Sequence, residues 1–116
     1  MLFICYPKCS TCQKAKQWLE EQNIEYTQRH IVEVNPTYDE LKEWYAKSGL
    51  PLKKFFNTSG LLYKEMKLKD KLSLMSEEEQ LKLLSTNGML VKCPLVVKED
   101  TVLVGFKEAE WMEKLN

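Results

Sequence analysis

The sequence of 116 residues contains one histidine and one arginine, and its 17 acidic and 17 basic side chains leave no net charge at neutral pH. A neutral chain offers no overall attraction to nucleic acid or to an anionic membrane. No apolar run approaches the about 20 residues that a helix needs to span a bilayer. The N-terminus also lacks the basic segment of a signal peptide. We therefore expect a cytoplasmic protein that binds neither nucleic acid directly nor membranes.

Internal repeats, linkers and low-complexity segments are also absent from the sequence. The hydrophobic fraction of 44% and the charged fraction of 29% are ordinary for a globular protein. The length suffices for one domain with a core of its own, so we predict a single domain over residues 1–116, acting as a monomer. In a reducing compartment its four cysteines are more often reactive or buried than paired in structural disulfides.

Cys9 and Cys12 form a C-x-x-C motif between a short apolar segment, residues 2–6, and a helical pattern over residues 13–22. Such a pair at a strand-to-helix junction is typical of thioredoxin-like redox sites. The free N–H groups and the positive end of the helix dipole stabilise a thiolate at the helix start. Cys9 is therefore the candidate nucleophile, and Cys12, about one turn away, is the candidate resolving thiol. Metal binding and inert structural thiols are the alternatives.

The residues around the motif have both functional and structural interpretations. Lys8, Ser10 and Thr11 are candidates for supporting the thiolate, although lysines on a helix surface are more often simply solvated. Cys5 lies inside the first predicted strand and is expected in the core. His30, the single histidine, falls in another predicted strand, which argues against a thiol mechanism assisted by histidine.

The apolar pattern predicts a β-α-β unit followed by helices and a hairpin. Strands at residues 2–6 and 24–34 are parallel, joined by a crossover helix that ends at Asn23. Capping-box spacing opens helices at Thr37 and Ser76. Glu99 and Asp100 form the turn of a hairpin between residues 94–98 and 101–105. A final helix over residues 107–115 aligns Ala109, Met112 and Leu115 on one face.

This order predicts an α/β fold of the thioredoxin or glutaredoxin type. A mixed four-stranded sheet carries helices on both faces. The helical stretch at about residues 37–88 is then an insertion between the β-α-β and β-β-α halves. The three tryptophans lie at helical positions, where they are more often part of the core than a platform for substrate.

Four segments of the chain resemble the arsenate reductase/Spx family, in the family's order: residues 5–19, which contain the C-x-x-C motif, and residues 55–60, 91–97 and 103–106. The resemblance covers essentially the whole chain. It implies a thioredoxin-like fold with a helical insertion, redox chemistry at the motif, and a cis peptide bond at Pro94 packed beside the motif.

The chain departs from the family pattern in its arginines. The resemblance implies oxyanion-binding arginines at the positions of Cys93 and Asn57 and near Lys107. Arg29 is the one arginine present, and it falls in the second predicted strand. Lys92 and Lys107 supply charge without the bidentate geometry of a guanidinium group. We therefore do not expect efficient arsenate reduction.

The Spx branch of the family contains transcriptional regulators that bind RNA polymerase and sense oxidation through a C-x-x-C switch. This sequence shares the motif, but it reaches Asn116 directly after the last predicted helix, without the basic C-terminal extension associated with that branch. We interpret the chain as a thiol–disulfide oxidoreductase acting on a thiol or disulfide substrate or partner protein. It holds no bound cofactor or metal and is reset by the glutathione or thioredoxin system. A regulator that binds RNA polymerase is the first alternative, and an arsenate reductase is the second.

Cys93 has two interpretations that follow from the resemblance. If Pro94 lies beside the motif, Cys93 lies there too, as a third redox thiol or a ligand. Otherwise it is a small residue that fills an edge of the core, as free cysteines often do. A zinc site formed by all four cysteines lacks the usual second C-x-x-C pair.

Overall fold

Four short strands form a mixed sheet in the computed structural model, which describes residues 1–115. The spatial order is β2-β1-β3-β4, and β1 pairs parallel with β2 and antiparallel with β3. The hairpin of β3 and β4 is antiparallel. The strands are β1 (Leu2–Cys5), β2 (Thr27–His30), β3 (Leu95–Lys98) and β4 (Thr101–Val104). This topology confirms the predicted thioredoxin-like α/β class.

Helices cover both faces of the sheet, because successive side chains of a strand point to opposite faces. Phe3 packs in a cluster with residues of the first and last helices, while Ile4 packs in a cluster with the helices between β2 and β3. The α-helices are α1 (Ser10–Glu21), α2 (Tyr38–Ser48), α3 (Leu61–Glu65), α4 (Leu68–Lys71), α5 (Glu77–Thr86) and α6 (Glu108–Leu115). Short 3-10 turns lie at Leu52–Phe55, Leu72–Leu74 and Gly88–Leu90. Among residues 1–115, no helix is long and apolar enough to cross a membrane.

Local capping signals place the helix ends as the sequence predicts. Thr37 and Ser76 each form a complete capping box with the glutamate three residues later. Gly49 adopts the left-handed conformation after α2, with a φ of 66°. Asn23, at φ 58°, closes α1 by donating its backbone N–H to the carbonyl of Glu20 at 3.1 Å. These ends depend on neighbouring residues alone, which is why the sequence predicts them.

The predicted second strand over residues 24–34 is wrong in its length. β2 pairs with the four residues of β1, from Thr27 opposite Leu2 to His30 opposite Cys5. The chain then turns, since the backbone N–H groups of Val32 and Glu33 both donate to Nδ1 of His30 at 3.1 Å. His30 is therefore the last residue of β2, as the sequence predicts, and its side chain accepts hydrogen bonds from the turn that follows.

The predicted inward face of α6 is wrong at two of its three positions. Trp111 and Leu115 are buried, whereas Ala109 is exposed and the side chain of Met112 is 47% exposed. Trp111 sits edge-on to Phe106 with ring centroids 4.8 Å apart. Its indole N–H donates to the carbonyl of Gly105 at 3.1 Å. The helix is rotated so that it buries its largest apolar side chain, which stabilises the core more than burying an alanine.

Arg29 joins β2, the following loop and α2 through one hydrogen-bond network. Two of its nitrogens donate to the carboxylate of Glu40, at 2.7 and 2.9 Å. It also donates to the backbone carbonyls of Val34 at 2.8 Å and Asn35 at 3.1 Å. These hydrogen bonds from Arg29 lower the pKa of the Glu40 carboxyl to about 2, and partial burial opposes the shift.

We predict that Glu40→Gln lowers the free energy of unfolding by about 1 kcal/mol at pH 7. Glutamine keeps the capping box but loses the charge opposite Arg29. Because the carboxyl pKa falls from its ordinary value of 4.5 to about 2 on folding, the wild-type advantage is complete above pH 4.5 and disappears as the pH falls toward 2. Urea unfolding of the wild type and of Glu40→Gln between about pH 2 and pH 7 measures this difference in stability. Glu43→Gln, which breaks the exposed pair with Lys47, is the control; an equal effect there would contradict the prediction.

Candidate functional site: three thiols at the start of α1

Cys9 is the N-cap residue of α1, at the carboxyl end of β1. Its backbone N–H donates to the carbonyl of Tyr6 at 2.9 Å, which folds the intervening turn against the helix start. Within the described residues, no side chain caps this helix and its first turn holds no acidic residue. The positive end of the helix dipole is therefore available to a negative charge on the half-buried Cys9 sulfur.

Cys12 lies on the inner side of α1 and is 2% exposed. Its sulfur accepts a hydrogen bond from the backbone N–H of Tyr6 at 3.4 Å. A hydrogen bond with Cys93, together with burial, raises the pKa of the Cys12 thiol above its ordinary value. Cys12 is thus held in place as a protonated thiol in the resting site.

Cys93 completes a cluster with the two motif cysteines. The peptide bond between Cys93 and Pro94 is cis, as the family resemblance implies. The sulfurs of Cys9, Cys12 and Cys93 all lie within 4.8 Å of one another. Cys93 also packs against both hydrophobic clusters, one on each face of the sheet. We name this group the three-thiol cluster.

The electrostatics of the three-thiol cluster favour a negative charge on Cys93. Hydrogen bonding from Cys12 lowers the pKa of the Cys93 thiol to about 7, with further help from Cys9, the Tyr6 backbone and the charge of Lys92. Burial acts in the opposite direction. The opposite directions of the two pKa shifts place the negative charge on Cys93 rather than on Cys12. The sequence pattern alone does not place this charge.

A groove of about 600 Å³ opens beside the helix start at Thr11. Four lysines line it, with one acidic side chain, Glu110. The lysines are Lys53, Lys54, Lys92 and Lys107. Its apolar walls include Phe56 and Phe106. The groove therefore offers positive charge and apolar surface, and its lining residues Thr11 and Lys92 precede Cys12 and Cys93 in the chain.

The remaining candidate residues differ in where they lie and in how far they are buried. Lys8 and Ser10 are exposed, Lys8 in the turn before α1 and Ser10 as its first residue. Asn57 lies in a turn, where its backbone N–H donates to the carbonyl of Leu90 at 2.8 Å, and its neighbour Thr58 lines the groove. Cys5 is 3% exposed in the core, and burial raises the pKa of its thiol.

Sequence reasoning missed two parts of this site. Lys53 and Lys54 lie about 40 positions from the motif in sequence, and only the tertiary fold brings them to the groove. The backbone of Tyr6, which contacts both motif cysteines, carries no side-chain signal at all. The sequence indicates an exposed basic turn there only through the two adjacent lysines, which stand between the apolar Leu52 and Phe55.

Known proteins resemble this chain over nearly its whole length. The model of the ArsC family matches residues 5–114. The protein YusI of Bacillus subtilis is 56% identical over 113 residues, which cover 97% of this chain and 96% of YusI. The global transcriptional regulator Spx 2 of Bacillus anthracis is 30% identical over 102 residues, covering 88% of this chain and 76% of that protein. The crystal structure of an ArsC family related protein from Bacteroides fragilis has a TM-score of 0.95 at 67% identity, covering 97% and 94% of the two chains.

We predict that Cys12→Ala raises the pKa of Cys93 from about 7 toward its ordinary value of 9.0, because it removes the main hydrogen bond to that sulfur. Cys93 should therefore react with an alkylating agent at a lower pH in the wild type than in Cys12→Ala. The rate of alkylation at Cys93 against pH, followed by peptide mass spectrometry, measures the change. Cys5→Ala, the same substitution at another buried cysteine, is the control for this measurement. An unchanged Cys93 profile in Cys12→Ala would contradict the prediction.

Proposed function

The chain belongs to the ArsC family, and we propose that it is a cytoplasmic thiol–disulfide redox protein whose redox pair is Cys9 and Cys12. The observation that carries the proposal is the meeting of three sulfurs within 4.8 Å at an uncapped helix start. Cys9, half buried at that start, is exposed enough for a substrate to reach, and the helix start favours it over the equally exposed Cys93 as the nucleophile. Cys12, buried behind it, is within reach for the second step.

The proposed reaction begins when the Cys9 thiolate attacks one sulfur of a substrate disulfide. The other half of the substrate leaves as a thiol, and Cys9 is left in a mixed disulfide. Cys12 then attacks the Cys9 sulfur, releases the second substrate thiol and forms the Cys9–Cys12 disulfide. Two electrons and two protons from an external dithiol or from two glutathione molecules restore both thiols. The glutathione or thioredoxin system supplies them.

Cys93 fits this scheme as the group that receives the proton of Cys12. Cys12 must lose its proton to attack, and the sulfur of Cys93, within 4.8 Å of the Cys12 sulfur, is the neighbouring group that receives it. The lowered pKa of Cys93, about 7, suits an acceptor near neutral pH. Cys93 is also close enough to serve as a third redox thiol, pairing with either motif cysteine.

The groove supports an anionic or acidic disulfide substrate. Four lysines and one glutamate line it, so its charge attracts carboxylates, while its apolar walls contact the rest of the ligand. This preference covers a glutathione disulfide as well as an acidic segment of a partner protein. We therefore propose that the substrates are disulfides that carry negative charge, and that all of them react through the same thiols.

A redox-sensing regulator that binds RNA polymerase is a second candidate function. The similarity to the global transcriptional regulator Spx 2 of Bacillus anthracis favours it. In this case the Cys9–Cys12 disulfide changes a binding surface, and the protein does not turn over a substrate. Turnover therefore separates the two candidates.

We predict that Cys12→Ser accumulates mixed disulfides through Cys9, because the second step is blocked while the first proceeds. The wild type should reduce a model disulfide repeatedly when glutathione or the thioredoxin system is supplied. Cys9→Ser should lose this activity and trap nothing, and Cys5→Ala is the matched control that should retain it. Turnover and peptide mapping of the trapped species are the measurements.

Stoichiometric oxidation of the wild type without turnover would favour the sensing regulator over the enzyme. Efficient trapping by Cys9→Ser through Cys93 would show that the nucleophile is Cys93. Absence of any Cys9–Cys12 disulfide after mild peroxide treatment would overturn the proposed redox pair itself.

We predict negligible arsenate reduction, even with glutaredoxin as the reductant. Arg29 is held by Glu40 and two backbone carbonyls, so it does not supply a guanidinium group to the groove. Each missing charge-assisted contact costs about 1.5–3 kcal/mol of oxyanion binding, so two or three should reduce activity by several orders of magnitude. Arsenite production is compared with that of a family arsenate reductase assayed in parallel. Comparable rates would show that groove lysines replace the arginines.

A further inference from the structure

We propose that the three-thiol cluster is a binding site for Zn²⁺, held by Cys9, Cys12 and Cys93 with solvent as the fourth ligand. Their sulfurs lie within 4.8 Å of one another. Thiolates that share a tetrahedral zinc ion at Zn–S distances of ~2.3 Å stand ~3.8 Å apart. Side-chain rotations that close the cluster by about 1 Å therefore suffice to complete the site.

The three ligands come from two parts of the fold that are already fixed, the start of α1 and the segment before Pro94. Cys12 is held by the core and by the Tyr6 N–H. Cys93 follows Lys92, whose backbone N–H donates to the carbonyl of Phe55 at 2.8 Å. Cys9 is positioned by its own backbone bond to Tyr6. A site assembled before the ion arrives loses little conformational entropy on binding, which favours affinity.

Charge around the cluster also suits a zinc thiolate complex. Zn²⁺ with three thiolates carries one net negative charge. The positive end of α1 and Lys92, which lines the adjoining groove, lie beside that charge and offset it. The first turn of α1 contains no acidic residue that would oppose it.

The exposure of the three cysteines predicts the kind of zinc site. Cys12 is buried, whereas Cys9 and Cys93 are half buried, so one side of the cluster faces the surface. Three protein ligands with an open position are typical of zinc sites that exchange a ligand, unlike closed structural sites with four. Within the described residues Cys5 lies outside the group, so the fourth cysteine does not close the site.

Zinc binding at this cluster differs from the expectation of no metal and depends on geometry that the sequence motif does not contain. The motif has two cysteines, and the third ligand reaches it only through the segment before Pro94. Zinc and disulfide formation compete for the same thiolates. The bound ion would therefore protect Cys9 and Cys12 from oxidation until it is removed.

The test uses the reduced full-length chain with Co²⁺ as a spectroscopic probe, followed by Zn²⁺ in competition with a chromogenic chelator. We expect one ion per chain, with a sulfur-to-cobalt charge-transfer band that Zn²⁺ abolishes. Loss of a residue that only hydrogen-bonds to a zinc ligand weakens zinc binding by ~10–100-fold, so loss of a ligand itself in Cys93→Ala should weaken it at least ~100-fold. Cys5→Ala, the matched control, should keep the wild-type affinity.

Lack of a charge-transfer band in the wild type, or equal affinities of Cys93→Ala and Cys5→Ala, would overturn the proposal. Circular dichroism checks that Cys93→Ala is folded. A second measurement needs only the wild type: Zn²⁺ should slow the alkylation of Cys9 and Cys93 together. Unprotected thiols at saturating Zn²⁺ would also overturn the proposal. Disulfide mapping of Cys93→Ala tests the Cys9–Cys12 redox pair separately, so the two proposals fail independently.

Discussion

The backbone of Tyr6 is the constraint on which the site depends. Its N–H donates to the sulfur of Cys12, and its carbonyl accepts from the N–H of Cys9. One residue at the end of β1 thus fixes both motif cysteines relative to the sheet. Because β1 lies between β2 and β3, this position is rigid, and the thiols inherit that rigidity. Every residue type at position 6 has these two backbone groups, apart from proline, which lacks the N–H.

The fold and half of the site could be predicted from sequence because their signals are local. Capping residues such as Thr37 and Gly49 act on their own helices, and the C-x-x-C motif lies directly between a strand and a helix. The rest depends on distant contacts. The length of β2 is set by its pairing with β1 and by the turn after His30. The rotation of α6 is set by the packing of Trp111. The position of Cys93 is set by the hydrogen bond between Lys92 and Phe55. Periodicity within one segment does not record such partners.

The charged residues show how this member of the ArsC family combines a shared scaffold with different site chemistry. Its one arginine stabilises the junction of β2 and α2, and lysines provide the positive charge at the groove. Lysine attracts anions as a point charge, whereas arginine binds planar oxyanions through two parallel hydrogen bonds. The lysines of the groove therefore present point charges without the paired donors of a guanidinium group.

Cys93 packs against the hydrophobic clusters on both faces of the sheet. Protein interiors are close-packed and resist changes in volume, so a new bond at that sulfur must be accommodated by both layers at once. The helices between β2 and β3, which do not carry the motif, are thereby mechanically coupled to it. A change in volume at the Cys93 sulfur would therefore alter the packing on both faces of the sheet, including the face away from α1.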